Sequence, residues 1–145
     1  MNIVTKQVKD KPLTVTIEYP EYNESTARII HKIKSLDINL AVGVGDQKTR
    51  IALSDIYYIE NVDRKLFIYT SKDVFRYDSS MAEVEGFTAD TNLVRISRTC
   101  ILNTDHLKEI RQVKNSRLEA LLDNDEKVIV SRKYLQDIKK AFGRK

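Results

Sequence analysis

The sequence contains few of the residues that cross-link a fold or break it into flexible segments. It has one cysteine, two prolines and four glycines in 145 residues. The single cysteine, Cys100, excludes an intramolecular disulfide framework. The scarcity of proline and glycine leaves no Pro-rich or Gly/Ser-rich linker and no low-complexity tract. These absences, with 41% hydrophobic and 32% charged residues, predict a globular chain rather than a disordered one.

Segments that address a protein to a membrane are also missing from the sequence. No apolar run approaches the roughly 18 residues that a membrane-spanning helix needs. Residues 1–12 lack the apolar stretch of a signal peptide. With the lone cysteine, these features predict a cytoplasmic protein.

Motifs that carry enzymatic chemistry are equally scarce. No Walker loop and no GxGxxG, HExxH, CxxC or GxSxG pattern occurs. The two histidines, His31 and His106, have no partners at metal-ligand spacing. Cys100 lies in an apolar run, where a small core residue is the expected role. The sequence therefore predicts a protein that is not an enzyme and that uses no metal or other cofactor.

Short runs rich in Ile, Val, Tyr and Phe make up most of the sequence. Each has the length of a strand, and turn-forming pairs such as Gly-Asp and Ser-Asp separate them. Strands this short and closely spaced argue against a parallel sheet with helical crossovers. Residues 13–19 alternate in the strand period, and residues 114–116 and 123–126 are predicted hairpin tips. The sequence thus predicts a mainly β fold of antiparallel strands.

Three segments show helical periodicity instead. The first, residues 23–36, has a capping residue at Asn23 or Ser25. The second, residues 79–87, is short, and the third, residues 131–142, is amphipathic. The residues of the third helix that are predicted to face the core are Tyr134, Leu135, Ile138 and Phe142.

The segment VRISRTCILN, residues 94–103, mixes strand-like apolar residues with two arginines. The apolar residues that share one strand face, and are predicted to pack inward, are Ile96, Cys100 and Leu102. Arg98 breaks the alternation between the two faces. A bulge or turn at residues 97–99 is therefore predicted, and it would direct Arg98 outward.

Three motifs in order carry a resemblance to a known family. IYYIENVDRKLFIY begins at Ile56, VRISRTCILN follows a predicted short helix, and VSRKY begins at Val130. This ordered set resembles the LytTR DNA-binding domain family. The resemblance implies an elongated arrangement of small antiparallel sheets, with a strand–helix extension at residues 1–45 and a LytTR-like domain at residues 46–145. It also implies DNA reading by loops, which fits the lack of a helix-turn-helix pattern.

Many members of the family carry a phosphoacceptor receiver domain ahead of the DNA-binding part. The 45 residues that precede it here are too few for a receiver, so the sequence resembles the stand-alone bacterial kind. The resemblance implies a sequence-specific transcription regulator that binds double-stranded DNA in the major groove at tandem half-sites. It further implies two copies on DNA or a homodimer, a possible modulating membrane protein, and no small-molecule substrate.

The resemblance implies three DNA-contacting loops, at residues 63–65, 97–99 and 131–133. Arginine can pair with guanine through two hydrogen bonds, so the candidate base readers are Arg64, Arg98 and Arg132. The candidates for contact with the DNA backbone are Lys65, Ser97, Thr99 and Lys133, with Lys114 and Asn115 at a hairpin tip. Ser97 stands where the family usually has histidine, and a serine hydroxyl reaches less far than an imidazole.

The charge pattern leaves alternatives to DNA binding open. The net charge is +4, and the basic excess lies in the last third of the chain. That asymmetry fits a nucleic-acid face or merely a solvated surface. With Ser97 in place of the usual histidine, a protein-interaction module that has lost specific DNA binding is the main alternative. A small-molecule-sensing domain is a third hypothesis, which no motif supports.

Overall fold

The computed structural model describes residues 1–114 and 117–142 of the chain. Within them lie three α-helices and ten strands. The helices are α1 Glu24–Asp37, α2 Met81–Thr88 and α3 Leu135–Phe142. The strands are β1 Asn39–Val44, β2 Gln47–Ala52, β3 Tyr58–Val62, β4 Lys65–Tyr69, β5 Val74–Tyr77, β6 Leu93–Ser97, β7 Cys100–Asn103, β8 Leu107–Val113, β9 Arg117–Leu122 and β10 Lys127–Val130.

The strands pair antiparallel in two sheets. The larger sheet has seven strands in the order β2-β1-β5-β4-β3-β7-β6, and the smaller has three in the order β10-β9-β8. The predicted mainly β fold, with antiparallel sheets, a helix near the start and a helix at the end, is confirmed. No helix in the described part of the chain is long and apolar enough to span a membrane.

Both predicted hairpin tips fall between paired strands. Residues 123–126 join β9 to β10, which confirms the hairpin predicted there. Strands β8 and β9 also pair, with Val113 opposite Arg117, on either side of the second predicted tip, residues 114–116. Residues 115 and 116 themselves lie outside the described residues.

The predicted division into residues 1–45 and 46–145 falls inside a hairpin. Gly45, with φ of +59°, lies in the turn between β1 and β2, where glycine adopts a left-handed conformation at little cost. Strand β1 pairs with β2 along its whole length and with β5 at Gly43 and Arg76. The seven-stranded sheet therefore contains residues from both sides of this division.

Two hydrophobic cores share strand β7. The first core lies against the seven-stranded sheet and α2, and it includes Ile101 of β7. The second joins the two sheets to α3, and it includes Cys100 and Leu102 of β7. Both faces of β7 are therefore buried. Ile96, Cys100 and Leu102 all pack in the second core, as the sequence predicts.

Helix α1 forms where its capping signal predicts it. The Asn23 side chain accepts a hydrogen bond from the backbone N–H of Thr26 at 2.9 Å. Ala27 is buried, and Ile30 and Ile33 on the same helix face are half-buried. In α3, Ile138 is fully buried, and Tyr134 and Leu135, at its start, are half-buried. The side chain of Phe142 lies outside the described residues.

The strand predicted over residues 13–19 is wrong for this structure. Residues 1–23 contain neither helix nor strand, and Leu13 and Val15 are 99% and 58% exposed. Alternating apolar residues form a strand only where a neighbouring strand supplies hydrogen bonds and a surface to cover them. No described strand pairs with this segment. The extension of residues 1–45 therefore lacks a strand before α1, and its only strand, β1, follows that helix.

Burial in the second core disfavours ionisation of the Cys100 thiol. Loss of solvation, the largest cause, raises its pKa from 9.0 to about 12. Because the thiolate is the nucleophile, we expect iodoacetamide at pH 8 to alkylate native Cys100 at least ~100-fold more slowly than the urea-unfolded chain. Mass spectrometry of timed samples measures both rates on the same single thiol. Equal rates in the two states would contradict the burial.

Candidate nucleic-acid interface

The turn between β6 and β7 presents the first of three exposed loops. Ser97 pairs with Cys100, and the register shifts between Arg95 and Ser97. The predicted bulge or turn is therefore confirmed, and Arg98 and Thr99 are exposed at its tip. The Ser97 hydroxyl accepts a hydrogen bond from the backbone N–H of Thr99 at 3.2 Å. This hydroxyl thus helps to shape the turn.

Arg95 holds this turn from beneath. Its Nε donates to the carbonyl oxygen of Ser97 at 2.7 Å, and its Nη2 donates to the carbonyl oxygen of Arg98. Its Nη1 pairs with the carboxylate of Glu85 on α2. The Arg95 side chain is 20% exposed, whereas Arg98 is exposed at the tip. The two arginines of this segment therefore have different environments, which sequence spacing alone did not distinguish.

The turn between β3 and β4 carries Asp63 and Arg64. Both have positive φ, 52° and 66°, as in the two-residue turns that suit the twist of a hairpin. Such turns favour Asn, Asp and Gly, and an arginine at positive φ carries a backbone strain of about 1 kcal/mol. The backbone N–H of Asn61 donates to the carbonyl oxygen of Thr99 at 2.8 Å. This bond places the β3–β4 turn beside the β6–β7 turn.

The third loop connects β10 to α3. The backbone N–H of Ser131 donates to the carbonyl oxygen of Ile96 at 2.8 Å, which joins this loop to the end of β6. A short 3₁₀ turn then spans Arg132–Tyr134, and Arg132 and Lys133 are exposed. The Lys133 ammonium lies 5.5 Å from the centre of the Tyr134 ring.

Two backbone hydrogen bonds thus bring the three predicted loops together. The β6–β7 turn is central, with the Asn61–Thr99 bond on one side and the Ser131–Ile96 bond on the other. The exposed side chains that the three loops bring to this surface are Arg64, Lys65, Arg98, Thr99, Arg132 and Lys133. A group of exposed cations on neighbouring loops attracts polyanions such as nucleic-acid backbones.

The tip between β8 and β9 lies at the same end of the smaller sheet as the third loop. Val130, the residue before Ser131, lies opposite Leu118, the second residue of β9. Lys114 is exposed at this tip, and Asn115 lies outside the described residues. Arg117, which begins β9, is exposed too, and it was not among the residues predicted to contact DNA. The pair of basic residues that flanks the tip, Lys114 and Arg117 in KNSR, is the sequence feature that could have identified Arg117.

The opposite end of β3 has a different character. The Tyr57 ring stacks on the His106 ring with centroids 4.0 Å apart. The two ring nitrogens of His106 face the Ser54 carbonyl oxygen at 2.9 Å and the Asp123 carboxylate at 3.4 Å. A hydrogen bond to Asp123 raises the pKa of Tyr57 to about 12. His106 therefore serves packing, and the described residues contain no cluster of acidic, His or Cys side chains that could hold a metal.

A solved structure has a similar fold. It is a LytTr DNA-binding domain from Bacillus cereus, with a TM-score of 0.66 and 25% sequence identity. The match covers 72% of this chain and 96% of that one. The fold is therefore that of a DNA-binding domain built mainly from β-strands.

The sequence comparison gives the family. The model of the LytTr DNA-binding domain family matches residues 46–143, which is more than half of the chain. The protein belongs to the LytTr DNA-binding domain family. The resemblance based on three ordered motifs is thereby confirmed, and the family is a DNA-binding class rather than an enzyme class.

Relatives of known name are longer than this chain. It is 24% identical to the sensory transduction protein LytT of Bacillus cereus over 98% of this chain and 60% of LytT. It is 35% identical to the transcriptional regulatory protein BtsR of Escherichia coli over 54% of this chain and 40% of BtsR. The chain thus spans 60% or less of the length of these two relatives.

Replacing Arg95 and Arg98 separately tests their different environments. We expect Arg95→Met to lower the free energy of unfolding by about 1–3 kcal/mol, because it removes hydrogen bonds to two carbonyl groups and the Glu85 pair. The matched change Arg98→Met, at an exposed position, should stay within about 0.5 kcal/mol of the parent. Urea denaturation monitored by circular dichroism measures both. Equal losses would show that the hydrogen bonds of Arg95 do not stabilise the turn.

Arg64→Gly tests the strain in the β3–β4 turn. We expect this variant to be more stable than the parent by about 1 kcal/mol, since glycine adopts positive φ without a steric cost. Lys65→Gly, one residue later within β4, should instead destabilise, because glycine weakens a strand. The same urea titration reports both values. A loss of stability in Arg64→Gly would contradict the proposed strain.

Proposed function

We propose that this protein is a sequence-specific transcription regulator that reads the major groove of double-stranded DNA with its three clustered loops. The pair of backbone hydrogen bonds, Asn61 to Thr99 and Ser131 to Ile96, is the observation that carries the proposal. It holds the loops side by side on a stiff β scaffold. Loops that are already ordered lose less conformational entropy when they bind. Membership of a DNA-binding family and similarity to a transcriptional regulatory protein support the same function.

The side chains at this surface fall into candidates for base contacts and candidates for contacts with the DNA backbone. Arginine reads guanine O6 and N7 with two parallel hydrogen bonds, which suits Arg64, Arg98 and Arg132 for base contacts. Ammonium and hydroxyl groups suit phosphate oxygens, which fix register without reading sequence. The residues that we assign to the DNA backbone are Lys65, Thr99, Lys133, Lys114 and Arg117, with Asn115 and the Ser97 hydroxyl as further candidates. The Ser97 hydroxyl accepts from the Thr99 backbone N–H and lies 3.5 Å from Thr99 Oγ1, and its own proton can be donated to a phosphate oxygen.

We further infer that two copies occupy tandem half-sites and that the protein acts on DNA in the cytoplasm without enzymatic activity. Half-sites about one helical turn apart present the same groove to both copies. Selection of bound duplexes from a random pool by the purified chain, followed by affinity measurements at two salt concentrations, tests this. A recovered motif in two copies, with affinity that falls steeply with salt, is the expected result. Weak salt-sensitive binding with no enriched motif would favour a protein-interaction module instead.

The central arginine and a neighbouring lysine should behave differently on DNA. We expect Arg98→Ala to cost about 1–3 kcal/mol in binding to the selected site and to flatten the preference at one base pair. Lys65→Ala should weaken selected and random duplexes alike and reduce the salt slope by about one. Fluorescence anisotropy with both duplexes measures these effects. Equal weakening on both duplexes by Arg98→Ala would remove Arg98 from the base readers.

A further inference from the structure

Residues 1–23, here called the arm, expose an apolar strand pattern that their own chain leaves uncovered. Within residues 13–19, LTVTIEY, apolar side chains alternate with Thr14, Thr16 and Glu18. Leu13 is 99% exposed, and only Ile17 in the whole arm is even half-buried. A segment with strand composition and one apolar side has the features of a strand that lacks its neighbour.

Strand β2 is a sheet edge that lacks a neighbour too. It is the first strand of the seven-stranded sheet and pairs with β1 on one side only. No described strand covers its other side. Residues 47–50 of β2 are exposed. An edge strand presents unpaired N–H and C=O groups that accept a further strand.

The two faces of β2 match the two faces of the arm segment. Thr49 and Ile51 lie opposite the buried Val42 and Leu40 of β1, so they are on the core side of the sheet. A strand with Leu13, Val15, Ile17 and Tyr19 on that side would extend the apolar surface.

The other face of β2 is basic, and that of the arm segment is polar with one carboxylate. Lys48 and Arg50 lie on the solvent side of β2, opposite Gly43 and Ala41. Glu18 shares its arm face with two threonines, so it would come beside these cations. Two β2 strands from different copies would instead set like charges against each other, which is unfavourable. Charge therefore favours the arm as the occupant of this edge.

The route of α1 indicates that the arm reaches a second copy rather than its own β2. Asn92 Nδ2 donates to the Arg28 carbonyl oxygen at 3.2 Å, so the first half of α1 lies at the β6–β7 end of the larger sheet. At the other end of α1, the Ile38 carbonyl oxygen accepts from Leu53 N–H at 3.0 Å, next to β2. A helix of 14 residues is about 21 Å long.

The link between the arm segment and α1 is shorter than this distance. Five Cα–Cα steps lead from Tyr19 to Glu24, the first residue of α1, and they span at most about 18 Å. Even a fully extended link falls short of the β2 end of α1, and in this structure no residue of the arm pairs with the β2 of its own chain. A second copy offers the same open edge, and two copies can exchange arms reciprocally about a two-fold axis.

We propose that residues 13–19 of one copy pair with β2 of a second copy as an eighth strand, and that two copies exchange arms to form a dimer. The apolar residues of the segment lie on the core side and Glu18 lies beside Lys48 and Arg50. None of the three clustered loops takes part in this pairing. The loop surface of each copy therefore stays accessible to DNA. The dimer forms without DNA, so it does not depend on the proposed function.

Charges placed on either face of the arm test the pairing. Val15→Glu with Ile17→Glu puts two carboxylates on the core side and should raise the dimer dissociation constant at least ~10-fold. The matched pair Thr14→Glu with Thr16→Glu puts them beside Lys48 and Arg50 and should leave the constant unchanged or lower. All four residues lie outside helices and strands, and circular dichroism of both double variants checks that the fold of the rest is kept. Sedimentation velocity over a concentration series measures the constant.

Two outcomes of this experiment overturn the proposal. A parent protein that stays monomeric at the highest concentration tested has no arm exchange. Equal weakening by the two double variants shows that the faces of the arm are equivalent, which a paired strand does not allow.

Cross-linking separates exchange between copies from docking within one copy. Ile17→Cys and Thr49→Cys are introduced into separate chains of different mass. The two proteins are mixed and treated with a short bis-maleimide, and buried Cys100 is not expected to react. A covalent dimer that contains one chain of each kind is the expected product. If linkage occurs only when both cysteines are in one chain, the arm docks on its own β2. No linkage of either kind leaves the arm to another partner, and both results overturn the proposal.

Discussion

Burial of β7 on both faces constrains the rest of the structure. Ile101 packs in one hydrophobic core, and Cys100 and Leu102 pack in the other. At the end of the strand, the Asn103 side chain donates to the Ile56 carbonyl oxygen at 2.9 Å. A strand held between two close-packed cores cannot shift without disturbing both. The turn that precedes β7, with Arg98 at its tip, is therefore fixed in position by the packing behind it.

The segment VRISRTCILN shows how one stretch of chain serves both packing and exposure. Arg95 folds back under the turn and donates to the carbonyl oxygens of Ser97 and Arg98, while Glu85 neutralises its charge. Arg98 has its backbone held in this way and its side chain exposed. A half-buried guanidinium with satisfied donors rigidifies a turn. The inner arginine thus acts on the surface by positioning the outer one.

Local patterns predicted much of the fold, and tertiary contacts account for what they missed. The Asn23 cap, the hairpin at 123–126 and the turn at 97–99 each follow from a few neighbouring residues, and each is present. Residues 13–19 carry an equally clear strand pattern, but pairing depends on a partner that a local pattern does not contain. For the same reason, the motifs could nominate three loops but not the hydrogen bonds that join them. The DNA-contact roles of the loop residues stay predictions.

The backbone hydrogen bonds that join the three loops also affect the order in which the structure folds. The smaller sheet is a meander of hairpins between consecutive strands, β8 to β10, whose contacts are local and close quickly. By contrast, the bonds from Asn61 to Thr99 and from Ser131 to Ile96 connect residues far apart in the chain. Contacts of that kind form only after long loops close. The complete loop surface is therefore among the last features to assemble, so a chain still being synthesised lacks it until β10 has emerged and docked.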